Sequence, residues 1–165
     1  MADVGVVVVG HGRSASALLS AAAGVVGEPA FAGVVAIDAG AGQTVALEDR
    51  MHAAIRAADA GAGVLLIADV FGASPCTCGI RQAMGHRLAV LAGLNLAMLL
   101  KLATLDRSSL SPTEVAQACA ESARRAVAVQ EPAAHKLPEP PGVRAPAASA
   151  AATTSTTTSL NEEPA

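Results

Sequence analysis

His11 lies between Gly10 and Gly12 directly after the run Val6-Val7-Val8-Val9, and two further apolar runs end at acids, Val34 to Ile37 at Asp38 and Gly63 to Ala68 at Asp69. A loop, Val70 to Pro75, follows Asp69 and contains Gly72-Ala73-Ser74. Residue types and spacing point to one chemistry. An imidazole at a strand end, beside a helix start, is placed to attack or carry a phosphoryl group, because helix N-terminal N–H groups favour an anion. A carboxylate facing one ring nitrogen fixes the tautomer, leaves the other nitrogen its lone pair, and stabilises the charge gained when a phosphoryl group arrives. Asp69 is the candidate for that carboxylate. Gly72, Ala73 and Ser74 would supply N–H donors and a hydroxyl, and Gly12 a close backbone approach. Arg13 has two readings: a solvated side chain, or a cation that steers the donor and screens the phosphate.

For these residues to meet, the chain must fold as stacked strands whose carboxyl ends share one edge. Four consecutive valines suit a strand buried on both faces, which needs no apolar/polar alternation. That strand ends at His11. Ser14 to Val26 reads as a helix with Ser14 or Ser16 as its cap, closed by Gly24, Gly27 and Pro29. Val34 to Asp38 is a second strand, and Thr44 opens an amphipathic helix to about Ala58 after the flexible Gly40-Ala41-Gly42. Gly63 to Asp69 is the third strand, with Ser74 capping a helix that has Pro75 at its first position. Leu88 to Ala92, Leu96 to Leu105, and Pro112 to about Val129 behind a Ser111 cap complete the order β-α-β-α-β-α-β-α-α. This order predicts an α/β fold: a doubly wound, mainly parallel sheet of four or five strands with helices on both faces. If the first strand lies between the second and third, His11 and Asp69 face each other at the switch point.

Residues 1–130 form the expected domain. From Glu131 the composition changes: Pro132 to Pro146 is proline-rich, and Ala147 to Ala165 is mostly Ala, Thr and Ser without periodicity. A disordered tail over 131–165 is expected, with a short helix at Ala147 to Ala152 as the alternative. The chain has no Trp or Tyr and only two Phe, so the core must come from small aliphatic side chains. A formal net charge of −3 without basic clusters argues against nucleic acid as a partner. Asp3 ahead of the valines and a run too short for a membrane span lead us to expect a cytoplasmic protein.

The strand-Gly-His-Gly opening, Asp69-Val70-Phe71-Gly72-Ala73-Ser74-Pro75, and Ala92-Gly93-Leu94-Asn95-Leu96-Ala97-Met98-Leu99 together resemble the IIA domain of the mannose-type (mannose/fructose/sorbose) sugar phosphotransferase system. The resemblance runs over about residues 3–130. It implies that His11 accepts a phosphoryl group from the histidine-containing phosphocarrier protein and passes it to a IIB component. Asp69 would hydrogen-bond that histidine and Ser74 help receive the phosphate. It also implies a homodimer, and contact with the membrane only indirectly, through a permease. Ala73 stands where the family usually has a second glycine and Ala97 where it usually has proline; neither change removes a reacting group. No IIB domain follows the Pro/Ala-rich segment, so the acceptor is expected to be a separate protein, or the phosphorylation state itself a regulatory signal.

Cys76-Thr77-Cys78 departs from the family more strongly. With His86 and Cys119 these thiols are the only candidates for a soft-metal site; buried structural thiols are the expected outcome, with no metal and no cofactor. Three cysteines form no secreted disulfide framework. His52 on a polar helix face and His135 in the tail read as solvated. The rival functions are a sirohydrochlorin-type chelatase, which also opens with strand-Gly-His-Gly, a non-enzymatic regulatory module, and a histidine phosphatase, whose Arg-His-Gly order is absent.

Overall fold

The valines of the opening run carry their side chains alternately to the two faces of one strand, and both faces are covered. This computed structural model describes residues 2–40 and 44–129. The expected tail from residue 131 and His135 lie outside the described residues, as does most of the Gly40-Ala41-Gly42 stretch. In chain order the elements are β1 (Gly5–Gly10), α1 (Ser14–Val26), a 3₁₀ turn (Glu28–Phe31), β2 (Val34–Asp38), α2 (Val45–Ala58), β3 (Val64–Ala68), α3 (Ser74–Gln82), β4 (Leu88–Ala92), α4 (Leu96–Leu102) and α5 (Pro112–Arg125).

All four strands are parallel, in the order β2-β1-β3-β4. The chain moves from β1 to β2, then crosses back over β1 to β3, so the direction of winding reverses beside β1. On one face Val6, Val8, Leu65 and Ile67 pack with residues of α1, α4 and α5, among them Ala15, Leu99 and Val115. On the other face Val7, Val9 and Leu66 meet Leu47, Met51 and Ile55 of α2 and Cys76 and Cys78 of α3. Burial of each valine or leucine is worth about 1.5–3 kcal/mol, which explains why a six-residue strand tolerates no polar position. The sequence-based α/β reading therefore stands, with four strands among the described residues.

Helix ends differ from the sequence-based expectation where local polar groups compete. α4 stops at Leu102 rather than Leu105, where the Thr104 hydroxyl donates to the Lys101 carbonyl at 2.8 Å. α5 stops at Arg125, short of the expected Val129. Its start is as read: Ser111 accepts from the Glu114 N–H at 3.3 Å, and Glu114 accepts from the Ser111 N–H at 2.8 Å, closing a capping box. Two expected caps are corrected, that of α1, for which Ser14 or Ser16 was expected, and that of α3; Ser16 lies in the first turn of α1. Ser14 and Ser74 are the first residues inside α1 and α3; the capping positions are Arg13 and Ala73, and neither supplies a side-chain hydrogen bond.

Candidate functional site

At the carboxyl edge of the sheet the register sets Val9 beside Ala68 and Gly10 beside Asp38, so the residues that follow β1 and β3 emerge side by side. Asp69 there accepts from three sources. Its Oδ2 takes the backbone N–H of His11 at 2.7 Å and the Ser14 hydroxyl at 3.2 Å, and its Oδ1 takes the N–H of Val70 at 2.8 Å. The His11 ring turns Nδ1 to the same carboxylate, 3.0 Å from Oδ2 and 3.2 Å from Oδ1. Nε2 makes no hydrogen bond with the described residues. The histidine side chain is 45% exposed and the aspartate 18%, so the carboxylate is largely shielded while the ring faces outward.

Burial pushes the Asp69 carboxyl up, but the hydrogen bonds from the His11 backbone and ring, the His11 charge and the Val70 N–H outweigh it and hold the pKa below 3.8. An ionised carboxylate at Nδ1 favours the tautomer with its proton there. The lone pair then sits on Nε2.

Gly10 and Gly12 serve different ends. A Cβ on Gly10 would collide with the Ser14 hydroxyl and stand 3.1 Å from Asp69 Oδ2, so the missing side chain makes room for the Ser14–Asp69 bond. Gly12 has φ +56°, a conformation that favours glycine, and its N–H donates to Gly40 at 3.0 Å.

Gly72, Ala73 and Ser74 lead from Asp69 into the N-terminus of α3, which has no side-chain cap and so keeps N–H groups for an anion. Arg13 is exposed, at the cap position of α1. Asp38 does not face His11: its carboxylate accepts from the N–H and hydroxyl of Ser16, at 3.0 and 2.6 Å. Ser14, read in the sequence only as a helix cap, is the site residue that sequence reasoning missed. Its spacing of three from His11, one helical turn, was the available signal.

The remaining histidines and thiols lie elsewhere. His86 Nδ1 is 2.7 Å from Asp59 Oδ2, before β3 and therefore at the opposite edge of the sheet. His52 is exposed on α2. Cys76 and Cys78 are buried on the α2–α3 face and Cys119 on the other, so the sheet separates them. Burial raises the Cys119 thiol to about 11. Among the described residues no group of three or more His, Cys, Asp or Glu stands ready to hold a metal ion. No helix there is long and apolar enough to cross a membrane.

The family model described as PTS system fructose IIA component (EIIA-man) matches residues 5–120. No curated protein matches the chain. Of the solved structures, the mannose/sorbose specific IIA subunit of the phosphotransferase system from Enterococcus faecalis is 24% identical, with 78% of this chain and 96% of that one covered and a TM-score of 0.68. The phosphotransferase system component EIIA from Streptococcus agalactiae is 22% identical, with coverage of 76% and 96% and a TM-score of 0.63. The PTS IIA protein associated with the fucose utilization operon from Streptococcus pneumoniae is 24% identical, with coverage of 74% and 93% and a TM-score of 0.61. At these identities the structures establish the shared fold. The family match decides against the chelatase and phosphatase readings.

Because its pKa is depressed in the folded state, Asp69 contributes stability that is present above 3.8 and lost as pH falls through the lowered folded value. In urea unfolding, the difference between wild type and Asp69→Asn should be larger at about pH 5 than at about pH 3. A difference that grows on acidification would contradict the ionised, hydrogen-bonded carboxylate.

Proposed function

The chain belongs to the IIA family of the sugar phosphotransferase system, a family of phosphoryl carriers, and on that footing we propose that Nε2 of His11 is the atom that takes the phosphoryl group. The observation that carries this reading is the Asp69 carboxylate 3.0 Å from Nδ1, with Nε2 left unbonded. The donor is the histidine-containing phosphocarrier protein. Its P–N bond breaks as the Nε2 lone pair bonds to phosphorus, and the donor nitrogen recovers its electron pair. Nδ1 keeps its proton throughout, and the Asp69 carboxylate balances the positive charge that the ring gains. The same steps in reverse pass the group to a separate IIB component or leave it in place as a regulatory mark.

The phosphate is bound by the N–H groups of Gly72 and Ala73, by the Ser74 hydroxyl and by the Arg13 cation, while the Gly12 N–H stays with the Gly40 carbonyl and its lack of a side chain leaves the approach open. No cofactor enters the reaction. The protein works in the cytoplasm and meets the membrane only through the permease that its partners serve. Residues 1–130 are the carrier domain and 131–165 a tail that folding does not need.

A homodimer fits the exposed edge of the sheet. β4 is an edge strand, only half-buried, and Ala89, Leu91, Ala116 and Ala120 line a groove between it and α5. A second copy of the chain is the occupant, and sedimentation at micromolar concentration should give twice the chain mass. A monomer there would overturn the assignment.

Mixed with the phosphorylated phosphocarrier protein, the wild-type chain should take up one acid-labile phosphoryl group, and His11→Ala none, with the fold retained because the ring is exposed. Asp69→Ala should lower kcat for acceptance by about a hundredfold while changing KM little. Uptake by His11→Ala at the wild-type rate would refute the reading.

A further inference from the structure

The N-terminus of α1 lacks a cap of its own, since Arg13 gives no side-chain hydrogen bond, and a carboxylate from a different strand does that work. Asp38, last residue of β2, accepts from the Ser16 N–H at 3.0 Å and from the Ser16 hydroxyl at 2.6 Å. The chain leaving Asp38 continues along the histidine loop. Ala39 N–H donates to the Gly10 carbonyl at 2.9 Å, and the Gly40 carbonyl accepts from Gly12 at 3.0 Å. Arg50 in turn holds the Asp38 carbonyl at 3.1 Å. The loop from Gly10 to Ser14 is thus clamped on both flanks, by Asp69 from β3 and by Asp38 to Gly40 from β2.

Both clamps close on the first turn of α1. Ser14, two residues before Ser16, donates its N–H to the His11 carbonyl at 3.0 Å and its hydroxyl to Asp69 at 3.2 Å. Loss of the Asp38–Ser16 bonds frees that turn, and with it the contact that orients the Asp69 carboxylate. Burial opposes ionisation of Asp38, but the two Ser16 bonds and the charges of Arg13 and Arg50 prevail, so the group is an anion at neutral pH. An anion seated on α1 also offsets the positive end of that helix. The uncapped N-terminus of α3 is left as the anion-binding end.

We propose that Asp38 is a positioning residue for phosphoryl acceptance, setting the geometry of the Asp69–His11 pair through the first turn of α1. The proposal rests on the phosphoryl-carrier reading. A misplacement of about 1 Å costs up to about a hundredfold in rate. Asp38→Ala should therefore lower kcat for acceptance from the phosphorylated phosphocarrier protein by about ten- to a hundredfold, with KM within about twofold. The Nδ1–H proton signal of His11 should broaden through faster exchange with water. Asp38→Asn, which keeps a carbonyl oxygen for the Ser16 N–H, should restore most of the rate, as a cap that served stability alone would not require.

A folded Asp38→Ala chain with wild-type kcat and an unchanged Nδ1–H signal overturns the proposal. Should that variant fail to fold, Ser16→Ala removes only the hydroxyl arm: a several-fold fall in kcat supports the proposal, and the wild-type value overturns it. Failure of the carrier reading looks different. Uptake that survives His11→Ala overturns both, whereas uptake lost in His11→Ala but intact in Asp38→Ala overturns the positioning role alone.

Discussion

The Asp69 carboxylate accepts the His11 backbone N–H, the Ser14 hydroxyl and the Val70 N–H, and it lies against the His11 ring. It therefore fixes where the loop after β1 leaves the sheet and how the imidazole is turned. A surface ion pair would do little of this, because solvent competes for both partners. Here the carboxylate is mostly shielded and its oxygens are occupied by fixed donors, so the ring has one nitrogen committed and one available. In the proposed function the uncommitted nitrogen is the one that reacts.

The rest of the fold maintains that contact. Parallel pairing of β1 with β3 brings Asp69 to His11, and the pairing of β1 with β2 delivers the second clamp at Ser16. Both pairings depend on a strand that can be buried on two faces, which the valine run satisfies with small, stiff side chains. Glycine at position 10 is part of the same constraint, since any side chain there would occupy the space of the Ser14–Asp69 bond.

Strand positions and element order were legible in the sequence because they depend on local patterns: apolar runs that stop at polar residues, and helix starts after glycine-containing turns; the His11–Asp69 pairing, a contact between elements, was expected only if β1 lay between β2 and β3 and from the family resemblance. The switch point followed once β1 was placed between its neighbours. What was not legible depends on contacts between elements. Ser16 carries no trace of being capped by Asp38, because that bond exists only after β2 has docked beside β1. Ser14 and Ser74 were each read as caps on local preference, yet both lie one position inside their helices, where Ser14 is free to reach Asp69. His86 and the cysteines, grouped by the sequence as possible ligands, are parted by the sheet and by the pairing of His86 with Asp59.

The central claim concerns one atom, Nε2 of His11. Nuclear magnetic resonance of the phosphorylated, ¹⁵N-labelled chain reads it directly through the coupling between phosphorus and the ring nitrogens. The account predicts that ³¹P couples to Nε2 of His11 while Nδ1 retains its proton, hydrogen-bonded to Asp69. Phosphorus coupled to Nδ1, or to a nitrogen of His52 or His86, would contradict it.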